Sequence, residues 1–248
     1  MNLDTPGPPD PAADPGDPGV ASDSGVAGNE RLTALAGAVL LVLFAVEIVT
    51  LIQLRSLMWL HFLVGVILVG PVAVKTASTG WRFVRYYTRH PAYRRKGPPR
   101  LAMRVLSPLL IVSTVAVIGS GIALALVGPA PPVLLKLHVV SFLGWLALIL
   151  VHATVYVSRV PRLIADDWRN RRRRTPATGR AARLGVNAAA LVAAGVLAVL
   201  LLPSAAPWAD WLEQGVTGPG VLSVILIAGV AAVSLGRRVR RGLRGGHR

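Results

Sequence analysis

The stretch KLHVVSFLGWLALILVHATVY (residues 136–156) is long and apolar enough to cross a bilayer as one helix, yet it carries His138 and His152. A membrane-crossing helix needs about 20 mostly apolar residues. Imidazole is expensive to hide from water, so two of them on one span call for a physical reason.

The rest of the chain has the same character. Its 248 residues are 53% hydrophobic and 15% charged, with a mean hydropathy of +0.58. Soluble domains carry about 25% charged residues, so the composition points to an integral membrane protein. Six segments are apolar enough to span: 32–54, 57–77, 104–127, 133–157, 185–203 and 219–235. The expected fold is all-α, with six transmembrane helices. Four of them form a bundle over 31–158, and a two-helix hairpin follows over 185–236. Pro71 falls inside the second span and Pro108 near the start of the third, and membrane helices tolerate proline, often with a kink. Residues 1–30 are rich in Pro, Gly, Asp and Ser and read as a disordered tail. Cysteine is absent, which excludes disulfides, thiolate metal sites and thiol nucleophiles. No phosphate-binding loop or hydrolase elbow is present.

The cations set the expected orientation. The net charge is +16, and 22 of the 27 Lys and Arg fall in three segments, 81–100, 159–183 and 237–248. In a six-span chain all three lie on one side, which the positive-inside rule makes cytoplasmic. Both termini then lie inside, with a basic loop over 159–184 and a basic tail over 237–248. These segments suit anionic inner-leaflet lipid. No recognition fold accompanies them, which argues against nucleic acid. Trp59, Trp208 and Trp211 are expected near the outer interface, and Trp81, Tyr86 and Tyr87 near the inner one.

Of the five histidines, His90 and His247 fall in basic segments and are expected to be solvated. His61 and His138 stand near the starts of the second and fourth spans, which run in the same direction. At 1.5 Å per residue both lie roughly 6–8 Å inside the outer ends. Two imidazoles at one depth in a helical bundle are the arrangement that ligates haem iron from both faces. Gly65, Gly119 and Gly121 are small residues that allow close approach. Arg55 and Lys136 are the outer-side cations, six residues before His61 and two before His138, and they suit haem propionates. His152 shares a face with His138, roughly 21 Å deeper. Its counterpart on the second span is Lys75, a poor substitute for imidazole, so one haem is favoured over two. Glu47, the sole carboxylate inside a span, is placed to accept a hydrogen bond from a ligand histidine or to carry protons for a quinone. Intramembrane histidines also serve as helix-to-helix hydrogen-bond donors or as steps in a proton path.

With those residues in place, the first four spans resemble the b-type cytochrome membrane subunits of bacterial respiratory enzymes. These are four-helix haem-binding bundles with ligand histidines on the second and fourth helices, often fourteen residues apart. The stretch LHFLVGVILVGPVAVKTASTGWRFVRYYTRHPAYRRKGPP (60–99) is also similar to small bacterial membrane proteins that accompany molybdopterin oxidoreductases. The resemblance covers about 31–158. It implies haem b on His61 and His138, with His152 matching a deeper ligand. It departs from the pattern at Lys75, where a fourth histidine belongs.

The expected function is therefore a multi-pass cytochrome b of the bacterial inner membrane. It would be an electron-transfer subunit of an oxidoreductase rather than a stand-alone enzyme. Its partners would be a quinone and an extracytoplasmic, molybdopterin-type oxidoreductase subunit. The alternative is a haem-free membrane protein, a proton-coupled transporter or an assembly scaffold, with Glu47, Lys75 and His152 as its working path.

Overall fold

A computed structural model describes residues 18–95, 97, 101–129, 132–156 and 179–213. Every regular element among the described residues is helical. In order they are α1 (Pro18–Ile52), α2 (Leu54–Ile67), α3 (Val69–Tyr87), the short α4 (Pro91–Arg95), α5 (Leu101–Val127), α6 (Pro132–Tyr156) and α7 (Arg180–Leu201). A 3-10 turn (Leu202–Ala205) then leads into α8 (Ala206–Glu213).

Five helical stretches are long and apolar enough to cross a membrane: Gly25–Ile52, Leu54–Tyr87, Met103–Val127, Pro132–Ala153 and Arg180–Glu213. Their outer surface carries unshielded aliphatic side chains. Val112 on α5 and Val140 on α6 are each 68% exposed. Contiguous apolar surface of this kind is disfavoured in water and neutral against lipid tails. Among the described residues the chain is thus all-helical, with the character of a multi-pass membrane protein. The sixth expected span (219–235), the tail 237–248 and most of the basic loop 159–184 lie outside the described residues. The loop's last residues, from Arg180, belong to α7.

Two breaks shape the first half. Gln53 leaves helical geometry (φ −123°, ψ 48°), and the chain turns back there from α1 into α2. Leu57, inside α2, leaves it again (φ −113°, ψ 19°), whereas Leu68, where α2 passes into α3, keeps helical φ and ψ (−56°, −27°). Pro71 accounts for the boundary between α2 and α3: it lacks an N–H, so the carbonyl of Ile67 four residues earlier loses its helical partner. The expected span 57–77 is therefore one end-to-end pair of helices over Leu54–Tyr87, longer at both ends.

The disordered tail expected over 1–30 is corrected at its C-terminal end, because α1 is already helical from Pro18. Polar residues that looked like tail composition have partners across the bundle. Asn29 Nδ2 donates to the Ser78 carbonyl at 3.0 Å, and Glu30 pairs with Arg82 at 3.6 Å. Thr33 and Ser78 share a hydroxyl–hydroxyl hydrogen bond. Val26 packs with Ala92 and Tyr93 of α4.

The helices group unevenly. α5 lies along α6, α1 lies along α2 and α3, and α7 packs on α2 and α3. At the α3–α7 crossing the two backbones come close. A Cβ added at Gly70 would stand 2.3 Å from the Ala190 carbonyl oxygen, so only glycine allows that approach. The α5–α6 hairpin meets α2 more loosely, and α6 has no comparable backbone approach to α1 or α2. Side chains bridge the gap at one level, where Leu51 packs with Phe142, Trp145 and Leu146. Phe44 meets the Trp145 ring at 4.6 Å between centroids. What remains of the gap is a cleft.

Candidate functional site

His61 is the eighth residue of α2 and His138 the seventh of α6. At 1.5 Å per residue they lie about 10 Å inside their helix starts, at matched depth. Both line one cleft of about 200 Å³. Its walls are apolar apart from Glu47, Thr114 and the two imidazoles; Phe62, Val66, Ile122 and Phe142 are typical of the rest.

The hydrogen bonds fix each ring's tautomer. Thr50 Oγ1 donates to the Glu47 carbonyl at 2.6 Å, so its proton is committed and its lone pairs face His61. His61 Nδ1 lies 3.1 Å from that hydroxyl oxygen and 2.9 Å from Glu47 Oε1. Both neighbours are acceptors, so Nδ1 carries the hydrogen. The same logic holds on α6. Ser120 Oγ donates to the Ala116 carbonyl at 2.6 Å, and His138 Nδ1 lies 3.0 Å from Ser120 Oγ and 3.2 Å from the Val117 carbonyl. A carbonyl only accepts, so His138 Nδ1 is also the donor.

With Nδ1 the donor, the neutral form of each ring carries its lone pair on Nε2. Among the described residues neither Nε2 makes a hydrogen bond. Two basic nitrogens facing an apolar cleft with no donor are what a metal centre with two open axial positions requires.

Glycines shape the cleft. A Cβ at Gly121 would lie 3.1 Å from His138 Cε1, and one at Gly65 would lie 3.3 Å from Glu47 Oε1. Gly65 thus makes room for the carboxylate rather than for a helix crossing. Gly119 has open space at its Cβ position and plays no such part. The Glu47 carboxylate, the expected acceptor for a histidine, meets His61 alone, and its Oε2 is buried without a hydrogen bond among the described residues.

Arg55 and Lys136 are exposed at the end of the bundle where α2 and α6 begin, beside the cleft-lining Leu54 and Leu135. Lys75 and His152 do not line this cleft. Lys75 Nζ lies over Gly37 of α1, where a Cβ would come within 2.9 Å. Of the expected working path, Glu47 is joined to His61, while Lys75 and His152 lie outside the cleft. His90, expected to be solvated, is half-buried edge-on to Tyr93.

Three features escaped the sequence reading. Thr50 and Ser120 orient the histidines; their signal was a hydroxyl inside an otherwise apolar span. The third is α8. Trp208 and Trp211, expected near the outer interface, line the cleft together with Leu212. Trp208 is 5% exposed, and its Nε1 donates to the Leu124 carbonyl at 3.2 Å. The 3-10 turn containing Pro203 redirects the chain, so α8 folds over the bundle end.

No group of three or more His, Cys, Asp or Glu placed to hold a bare metal ion occurs among the described residues. A haem iron needs only two protein ligands, because the porphyrin supplies four nitrogens. Compared with known proteins, the chain matches no family model, no curated protein and no solved structure.

Proposed function

We propose that the chain is a membrane-bound b-type cytochrome. It would carry electrons between a quinone and an oxidoreductase on the extracytoplasmic side, with His61 and His138 as axial ligands of one haem. The observation that carries this reading is the pair of Nε2 lone pairs, free of donors, in one apolar cleft. The residues present fit the group. Two imidazoles stand at matched depth, Gly121 leaves space beside His138, and aliphatic and aromatic walls suit a porphyrin face.

When bound, the haem supplies one-electron chemistry, which no side chain here provides. The chain's own residues do the rest. Glu47, Thr50, Ser120 and the Val117 carbonyl would hold both Nδ1 hydrogens and leave the Nε2 atoms of the neutral rings to the iron. Trp208, Trp211 and Leu212 close the bundle end and keep water from the ring. Arg55 and Lys136 stand at that end as cations for acidic substituents. By the positive-inside rule this end would face the extracytoplasmic side, which would favour a partner there, of the molybdopterin class that the resemblance implies. In a bacterium the location would be the inner membrane, with anionic lipid on the basic face.

The test is the reduced-minus-oxidised absorption spectrum of the full chain, expressed with ample haem and purified. A sharp b-type α-band at one haem per chain is expected. A folded, colourless protein would refute the proposal and favour the haem-free transporter or scaffold.

A further inference from the structure

The two histidines are held by unequal chemistry. His138 Nδ1 meets only neutral acceptors, the Ser120 hydroxyl at 3.0 Å and the Val117 carbonyl at 3.2 Å. His61 Nδ1 meets a carboxyl oxygen, Glu47 Oε1, at 2.9 Å. A hydrogen bond to a carboxylate is about twice as strong as a neutral one. It draws the Nδ1 hydrogen outward and leaves the ring a stronger donor at Nε2.

Several features aim Glu47 at this one task. It projects from α1 toward α2 because Gly65 leaves the space its Oε1 occupies. Thr50, three residues on, bonds the Glu47 carbonyl and presents its oxygen to the same Nδ1. Glu47 Oε2 has no hydrogen bond among the described residues, so no second donor there competes with His61 for the carboxyl group.

We infer that Glu47 is a positioning residue that makes the two axial ligands unequal and lowers the reduction potential of the iron they hold. This rests on the haem reading above. A more electron-rich ligand stabilises the oxidised iron, and hydrogen bonding to a ligand is one of the protein's levers on potential. Ser120, a neutral partner, has a smaller effect on the opposite ligand.

The experiment uses the full haem-loaded chain and two readouts, haem stoichiometry and an equilibrium redox titration. Glu47→Gln keeps the shape and removes the charge. It is expected to retain one haem and to shift the midpoint to more positive potential, with a smaller shift for Ser120→Ala. In the haem-free chain, nitrogen NMR of the imidazoles is expected to show the Nδ1–H form of His61, perturbed by Glu47→Gln. A wild-type chain that binds no haem overturns the haem reading, and this inference with it. Wild-type and Glu47→Gln proteins that both bind haem at one potential overturn the inference alone. If Glu47→Gln loses haem, Glu47→Asp decides. A shifted potential supports the assignment, and an unshifted one reduces Glu47 to a structural contact.

Discussion

Gly121 offers a way to disturb the cleft without touching a ligand. An alanine there places its Cβ 3.1 Å from His138 Cε1 and 3.6 Å from Nδ1. Carbon atoms prefer about 3.5–4.0 Å, so the ring must give way by a few tenths of an ångström. It is not free to do so, because Nδ1 is held by Ser120 and Val117. Stretching those bonds loses about 1 kcal/mol, and a strained rotamer adds about 0.5–1.5 kcal/mol. The total of about 1–3 kcal/mol corresponds to roughly a 5- to 150-fold weaker haem affinity. Gly119, two residues earlier on α5, has open space at its Cβ position. Gly119→Ala is therefore the matched control and is expected to leave affinity within about twofold, with a slight gain in helix stability. The assay is spectroscopic titration of haem into the solubilised haem-free protein. Equal affinities for the two variants would refute the assigned position of His138 at the cofactor.

His61→Ala and His138→Ala are each expected to abolish the b-type α-band, while His90→Ala leaves it intact, as difference spectra will show. Gly70→Ala drives a methyl into the Ala190 carbonyl at the α3–α7 crossing, and overpacking of this kind costs about 1–3 kcal/mol; thermal unfolding in detergent should show a lower midpoint. Trp208→Ala removes a buried indole and its bond to Leu124, with a loss of about 3–5 kcal/mol. Because Trp208 lines the cleft, the same variant should reduce haem faster with a water-soluble reductant, measured by stopped flow.

Burial explains which parts of the site were legible in advance. His61, His138 and Glu47 stood out because ionisable groups are rare in apolar spans and seldom face lipid without a reason. Equal depth for the two histidines followed from counting residues along helices that run the same way. Thr50 and Ser120 were not legible as histidine partners. Serine and threonine in a helix commonly bond their own backbone, which both also do here, and the contact to His138 spans 18 residues of sequence. Gly65 and Gly119 looked alike in sequence, yet one accommodates a carboxylate and the other faces empty space. Asn29 and Glu30 looked like tail residues until Ser78 and Arg82 were seen beside them.

Sequence by itself determined that this chain has the character of a helical membrane protein, roughly where five of its spans lie, and which ionisable side chains fall inside them. Those properties are local: hydropathy over about 20 residues and the rarity of charge in hydrocarbon need no neighbour to be read. Tertiary structure decided the rest. It joined Glu47 to His61, assigned both imidazole hydrogens to Nδ1, separated Lys75 and His152 from the cleft, and folded Trp208 over the bundle end. Each of these depends on which face of one helix meets which face of another. In lipid that choice is set by close packing and hydrogen bonding between helices, not by hydropathy, so it appears only when the helices are seen together.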